Sequence, residues 1–200
     1  MLIKGTKEVS NVYLLKRFDA VILIDPSYNL ETILEQIKGY KLLGVLLTHA
    51  DSDHMHLIGK FDCPIYLHRE DYQLFLNDNL NGYKESQIEK SYKNDEIFIR
   101  FVNDGDLIPL MDKNIKVIHT PGHTHGSVCY YVDDTLYTGD TLLKDEIGKS
   151  NHPHASIGKL RRSIIKIFKL PLKTKVCPGH GEITTLREER YKPHIKAILK

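Results

Sequence analysis

Four short segments carry residues whose types and spacing could do metal chemistry. The first is Thr48-His49-Ala50-Asp51-Ser52-Asp53-His54-Met55-His56, with four potential ligands within six residues, directly after an apolar run. The second, Pro121-Gly122-His123-Thr124-His125-Gly126-Ser127, forces a sharp turn that presents His123. The third, Tyr137-Thr138-Gly139-Asp140-Thr141, ends an apparent strand in a carboxylate, and the fourth, Cys177-Pro178-Gly179-His180-Gly181, sets a histidine between glycines that permit close backbone approach. Imidazole nitrogen combined with carboxylate oxygen suits zinc, iron or manganese. Taken alone, the first segment also reads as a solvated polar loop and each of the others as a plain turn. All four in one chain point to a metal. A loop leaving a strand would turn His49, Asp51, Asp53 and His54 around one point, whereas a helix would scatter them. His56 is expected to line the mouth.

Composition narrows the classes. With 28 basic and 26 acidic residues the net charge of +2 marks neither a nucleic-acid nor a membrane partner. No stretch of about 18 apolar residues marks a transmembrane helix, and the N-terminus lacks a signal-peptide pattern. Three widely spaced cysteines, Cys63, Cys129 and Cys177, form no Cys-x-x-Cys pair and read as buried small hydrophobes in a reducing cytoplasm. Histidine is the anomaly: eleven residues is roughly twice ordinary usage. A chain of 200 residues suits one domain, 1–200.

The elements that must position these segments follow from periodicity. Strands are expected at 11–15, 20–25, 42–49, 64–68, 97–102, 116–120, 127–132, 135–139 and 175–179, with an Asp133-Asp134 hairpin turn. Helices are expected at 30–39, 69–77 (Tyr72, Phe75 and Leu76 inward), 160–168 and 187–199, with a short one finishing over 57–60. The polar stretch 77–96 reads as a long mobile surface excursion. Ligand segments thus sit where strands run out into loops.

The order His-x-[His/Asp]-x-Asp-His, Pro-Gly-His-Thr, Thr-Gly-Asp-Thr-Leu and Pro-Gly-His-Gly resembles the metallo-β-lactamase fold superfamily of metal hydrolases. The stretches from Thr138 to Ile164 and from Leu170 to Arg190 resemble its glyoxalase II-like branch in single-domain form. This resemblance implies an α/β fold, a four-layer αββα sandwich. It also implies two divalent metal ions, zinc first with iron or manganese as options. His49, Asp51 and His123 would hold metal 1, Asp53, His54 and His180 metal 2, and Asp140 would bridge them. Family members usually carry histidine where this chain has Asp51. Flavodiiron proteins place a glutamate there to bind iron.

A hydroxide shared by two cations would attack a thioester or ester, such as a hydroxyacylglutathione-like substrate, with Asp53 orienting it as the catalytic residue. Lys144, Lys149, His152 and His154 could attract an anionic small molecule, although an ordinary solvated loop explains them equally. The branch's Gly-Arg-x-Asp becomes Gly148-Lys149-Ser150-Asn151 here, without the guanidinium fork. Alternatives are a phosphodiesterase or nuclease, for which no basic run interleaved with aromatics speaks, and a non-enzymatic metal-binding or sensing protein. β-Lactam hydrolysis does not follow from the fold alone.

Overall fold

The computed structural model describes residues 1–86 and 88–200, and within them the strands form two six-stranded sheets and a short ribbon. The first sheet runs in sequence order: β1 (Leu2–Ile3), β2 (Val12–Arg17), β3 (Ala20–Ile24), β4 (Lys41–Leu46), β5 (Ile65–His68) and β6 (Ile99–Val102). The second contains β7 (Leu107–Leu110), β8 (Lys113–His119), β9 (Val128–Val132), β10 (Thr135–Gly139), β13 (Lys175–Pro178) and β14 (Thr184–Thr185), in the spatial order β14-β13-β10-β9-β8-β7. Between β10 and β13 a ribbon pairs β11 (Leu142–Leu143) with β12 (Glu146–Ile147). The helices are α1 (Leu30–Ile37), α2 (Ser52–Met55), α3 (Tyr72–Leu76), α4 (Ile157–Ile167), α5 (Leu186–Arg190) and α6 (Pro193–Leu199).

Strand periodicity makes the layers. Along β2 and β3, Val12, Leu14, Val21 and Leu23 point outward to pack with Ile33 of α1, Met55 of α2 and Phe75 of α3. Their neighbours Tyr13, Leu15, Ile22 and Ile24 point inward, against Ile115, Val117, Val128 and Tyr130 of the second sheet. The far face of that second sheet, through Cys129, Leu136 and Val176, packs on Ile164 and Ile167 of α4, Leu186 of α5 and Ile195 of α6. The result is the expected αββα sandwich. Runs such as AVILI are apolar at every position because both faces are covered. Each such side chain contributes roughly 1.5–3 kcal/mol on burial.

Several boundaries differ from expectation, each for a local reason. The closing helix is two helices, because Pro193 cannot continue α5 and instead starts α6. Helix α4 begins at Ile157 rather than 160, since Ser156 caps it by accepting from the Lys159 amide. The strand expected at 116–120 begins at Lys113, paired through the turn at Met111 with the unforeseen β7. On α3 Tyr72 and Phe75 pack inward as expected and Leu74 joins them, while Leu76 is exposed. Cys63 is only half-buried, unlike Cys129 and Cys177; burial pushes all three thiols up to about 11.

The segment 77–96 is more than a surface excursion. Tyr83 and Tyr92 enter the outer core of the first sheet, and Asn81 donates to the carbonyls of Leu74 and Phe75. Gln87, which falls within that expected excursion, lies outside the described residues.

Candidate metal centre

All the ligand segments leave from one rim. Strands β3, β4, β5 and β6 are mutually parallel, and β10 is parallel to β13. β8 runs antiparallel to β9 and β9 to β10, so β8, β10 and β13 share one direction. Their C-terminal ends deliver His49 after β4, His123 after β8, Asp140 after β10 and His180 after β13. Hydrogen bonds between the two sheets close this rim: Val128 N to Thr48 O (2.8 Å), Tyr130 Oη to Leu47 O (2.8 Å), Asn11 N to Gly179 O (2.6 Å) and Tyr13 Oη to Pro178 O (2.7 Å).

Two triads result. His49, His123 and Asp140 each place one ligand atom within 4.8 Å of the others, and so do Asp53, His54 and His180. Asp140 stands between them, with Oδ1 3.6 Å from His54 Nε2 and Oδ2 3.8 Å from His123 Nε2 and 3.9 Å from His180 Nε2. Asp51 is not in either triad, yet its Oδ2 lies 3.1 Å from His123 Nε2 and 3.5 Å from His49 Nε2. Asp53 and His54 sit on the one-turn helix α2, not on an open loop. A single turn is too short to scatter adjacent side chains, so the helix aims both inward.

The imidazoles are tethered from behind. His54 Nδ1 donates to Asp25 Oδ2 (2.9 Å), His123 Nδ1 to Lys149 O (2.9 Å), His180 Nδ1 to Thr6 O (3.4 Å), and His49 Nδ1 to Thr48 Oγ1 (3.0 Å), which itself donates to Asp25 Oδ2 (2.7 Å). These bonds place the ring proton on Nδ1 and turn all four Nε2 lone pairs to the centre. His49 Nε2, His54 Nε2 and Asp140 Oδ1 are buried without a hydrogen-bond partner. Such orphaned groups are costly in a folded protein, and metal coordination would satisfy all three. The donor set therefore fits two divalent cations.

Sequence reasoning missed Asp25, Thr48 and Asp71, which hold the ligands. Asp25 ends the run AVILID, where its left-handed φ of 49° was not legible. Asp71 carried no signal at all. Gly179 fulfils its expected role: an added Cβ would meet Asp140 Oδ1 at 2.4 Å and His54 Cε1 at 2.6 Å.

Charge explains the titration. Burial alone would lower His54, but Asp53, Asp25 and Asp140 outweigh it and raise the imidazole to about 10. Burial likewise opposes, and Asp51 and Asp140 overcome it, at His123, raised to about 9. Burial would raise Asp51, yet His123 and His49 hold it well below the carboxylate range. Without cations, His54 and His123 therefore stay protonated near neutral pH. Coordination must displace those protons, and His180 is raised as well, so loading should release at least two, read by calorimetry in buffers of different ionisation enthalpy. Release should fall as pH rises through about 9 and 10; a proton-neutral uptake near pH 7 would contradict this protonation scheme.

Asp25→Asn tests the tethering. The amide can turn an N–H toward His54 Nδ1, and cation affinity should drop about 10–100-fold in chelator competition. An unchanged affinity would mean that packing alone orients the ring.

Two cavities open onto this centre. One, of about 880 Å³, is lined by Lys4, Lys7, Lys144, Lys149, His180 and Glu182; the other, of about 600 Å³, by Asn79, Asn81, Glu85, His56 and His154. Both reach Asp51, Asp53 and His152. Lys144 reaches the first cavity but is paired with Glu182 at 2.6 Å. Lys149 contributes a backbone carbonyl to His123 besides its side chain in the cavity wall. His152 and His154 bond to each other at 2.9 Å. His56 touches its cavity from a buried position, 1% exposed, with its ring 5.3 Å from that of Tyr83.

The model of the Metallo-beta-lactamase superfamily matches residues 5–180. The chain belongs to this superfamily. Among its relatives in the metallo-beta-lactamase superfamily, the probable metallo-hydrolase YqgX of Bacillus subtilis is 33% identical over 200 residues, covering 94% of this chain and 93% of the relative. A hydroxyacylglutathione hydrolase of Buchnera aphidicola is 32% identical over 161 residues, 80% of this chain and 56% of that longer protein. BLEG-1 B3 metallo-beta-lactamase superposes with a TM-score of 0.85 at 27% identity, over 98% of both chains. TTHA1623 in a di-iron-bound form does so at 0.82 and 30% identity, over 97% of this chain and 99% of that one. This metallo-beta-lactamase superfamily protein contains no helix, among the described residues, long and apolar enough to cross a membrane.

Proposed function

We propose that this protein is a dinuclear metal-dependent hydrolase of a thioester or ester of an anionic small molecule, in the manner of hydroxyacylglutathione hydrolases. The observation that carries the reading is the placement of Asp140 between two tethered triads, one oxygen toward His54 and the other toward His123 and His180. We assign His49, Asp51 and His123 to one cation, Asp53, His54 and His180 to the second, and Asp140 to both. The di-iron-bound form of TTHA1623 supports two cations and keeps iron, with manganese, beside zinc as the occupant.

Bound there, two divalent cations would lower the pKa of water enough to supply a nucleophile near neutral pH. Asp53 is the most open of the three site carboxylates, 33% exposed against 19% for Asp51 and 15% for Asp140. It can therefore orient water entering from either cavity. Lys7 and Lys149 line the larger cavity beside Asp145, Glu146 and Glu182, and as cations they would be the contacts of an anionic substrate there. A thiolate leaves without a general acid, so the thioester reading asks least of the surrounding side chains. The kinship with a hydroxyacylglutathione hydrolase supports the same choice. Three free cysteines fit a cytoplasmic setting, and we read 1–200 as one domain.

The test sets metal-replete protein against S-lactoylglutathione, bis-p-nitrophenyl phosphate and a cephalosporin. Preferential turnover of the thioester is expected. Turnover of the phosphodiester or the cephalosporin alone would overturn the substrate class, and metal binding without turnover of any would favour a binding or sensing role.

A further inference from the structure

Asp51 faces a problem that the histidines around it do not. An imidazole is rigid and offers one remote nitrogen, whereas a carboxylate is shorter, rotates freely and has two equivalent oxygens. Something must decide which oxygen faces inward. Helix capping does not: Asp51 is the N-cap residue of α2, yet its side chain makes no capping bond. Its Oδ2 points at His123 Nε2 and His49 Nε2, at 3.1 and 3.5 Å. Its Oδ1 points the other way, toward His154 Nε2 at 3.8 Å.

His154 is itself held. Its Nε2 lies 2.9 Å from His152 Nδ1, and the His152 ring stands edge-on to that of His123 with centroids 5.0 Å apart. Asp51, His154, His152 and His123 thus close a circuit of neighbours. The loop carrying the histidine pair is bolted to the His123 turn at both ends, by His123 Nδ1 to Lys149 O (2.9 Å) and by Ser156 N to Gly122 O (2.8 Å). His154 Nδ1 is buried without a partner. With its proton on Nε2, His154 donates to His152 Nδ1, turns the same positive N–H edge toward Asp51 Oδ1 as a 3.8 Å electrostatic contact, and leaves a bare lone pair at Nδ1.

We propose that His154, braced by His152, is a positioning residue that fixes the outer oxygen of Asp51 so that the inner one serves the cation held by His49, His123 and Asp140. The proposal rests on the ligand assignment made above. It gives the pair a role other than substrate contact: the two rings order a carboxylate whose side chain makes no capping bond on its own helix. Orienting partners of this kind are typically worth about 10–100-fold in metal affinity.

The experiment compares wild type with His154→Ala, His154→Gln, Asp51→His and the double variant Asp51→His/His154→Ala. Each is titrated with cobalt(II) against a chelator, following stoichiometry and the visible spectrum, with circular dichroism to establish folding. His154→Ala should weaken one of the two sites by about 10–100-fold and alter its spectrum alone. His154→Gln, which keeps an N–H near the Nε2 position, should recover most of that loss. In the Asp51→His background, removing His154 should change neither site. Two intact sites and an unchanged spectrum in His154→Ala, with only KM raised, would overturn the proposal in favour of substrate contact. Fewer than two cobalt ions on wild type would instead refute the ligand assignment, and the proposal with it. If His154→Ala does not fold, His154→Leu takes its place in the same titration: loss of one site that Asp51→His restores supports the proposal, and two intact sites with an unchanged spectrum refute it.

Discussion

Asp140→Ala should cost both cations and on the order of 10³-fold or more in hydrolysis, equivalent to about 4 kcal/mol of transition-state stabilisation. Among the described residues no other side chain faces both triads with separate oxygens: Oδ1 lies 3.6 Å from His54 Nε2, and Oδ2 lies 3.8 and 3.9 Å from His123 and His180 Nε2. Its loss leaves four Nε2 atoms converging with less negative charge between them, so the remaining ligands repel once protonated. Metal content by elemental analysis should fall from about two equivalents, and Asp140→Asn, of equal shape but neutral, should lose nearly as much. A variant that keeps both cations and loses less than about tenfold in rate would show that the two triads do not share this carboxylate. Circular dichroism distinguishes a site defect from unfolding.

The second large effect is on stability. Asp71 is wholly buried and has no place in either triad. Its Oδ2 accepts from Ala50 N (3.0 Å) and Thr124 Oγ1 (2.7 Å), and its Oδ1 accepts from Gly126 N. One carboxylate therefore ties the loop bearing His49 to the loop bearing His123. Burial outweighs these donors and raises its pKa, so the charge is held at a cost. Asp71→Ala leaves the Ala50 and Gly126 amides without an acceptor, each worth about 1–3 kcal/mol, while the Thr124 hydroxyl can turn to Ser127 Oγ at 2.7 Å, for a loss on the order of 2–6 kcal/mol. The urea midpoint should move down at an unchanged slope. Asp71→Asn should retain part of the stability, because its amide keeps one oxygen but turns an N–H toward a donor. A loss below about 1 kcal/mol in the alanine variant would mean that water satisfies those amides.

Legibility followed the range of the interactions. Nine of the twelve strands of the two sheets, β2 to β6, β8 to β10 and β13, could be read because each carries its own two-residue period or an unbroken apolar run. Helix ends depended on single capping residues, and Ser156 was not recognised as one. Strand β7 escaped because it is four residues long, contains Pro109 and has apolar Leu107 on its exposed face, so its sequence shows no polar alternation. Tyr83 and Tyr92 were lost in a polar stretch, since nothing local reveals that they enter a core built by α3 and the first sheet.

For the site, residue types and turn chemistry by themselves determined the histidines and aspartates that could bind metal, because Pro-Gly and Gly-flanked turns at strand ends are local signals. The departure at Asp51 was equally visible. Only the tertiary structure decided how they combine. It set Asp140 between the triads, put Asp25 behind His54 and Asp71 between two loops, and drew His152 and His154 to Asp51. These relations join residues 20 to more than 100 positions apart, and they arise from the parallel strands whose ends meet at one rim. No periodicity within a segment can encode that meeting; it follows from how two sheets pack.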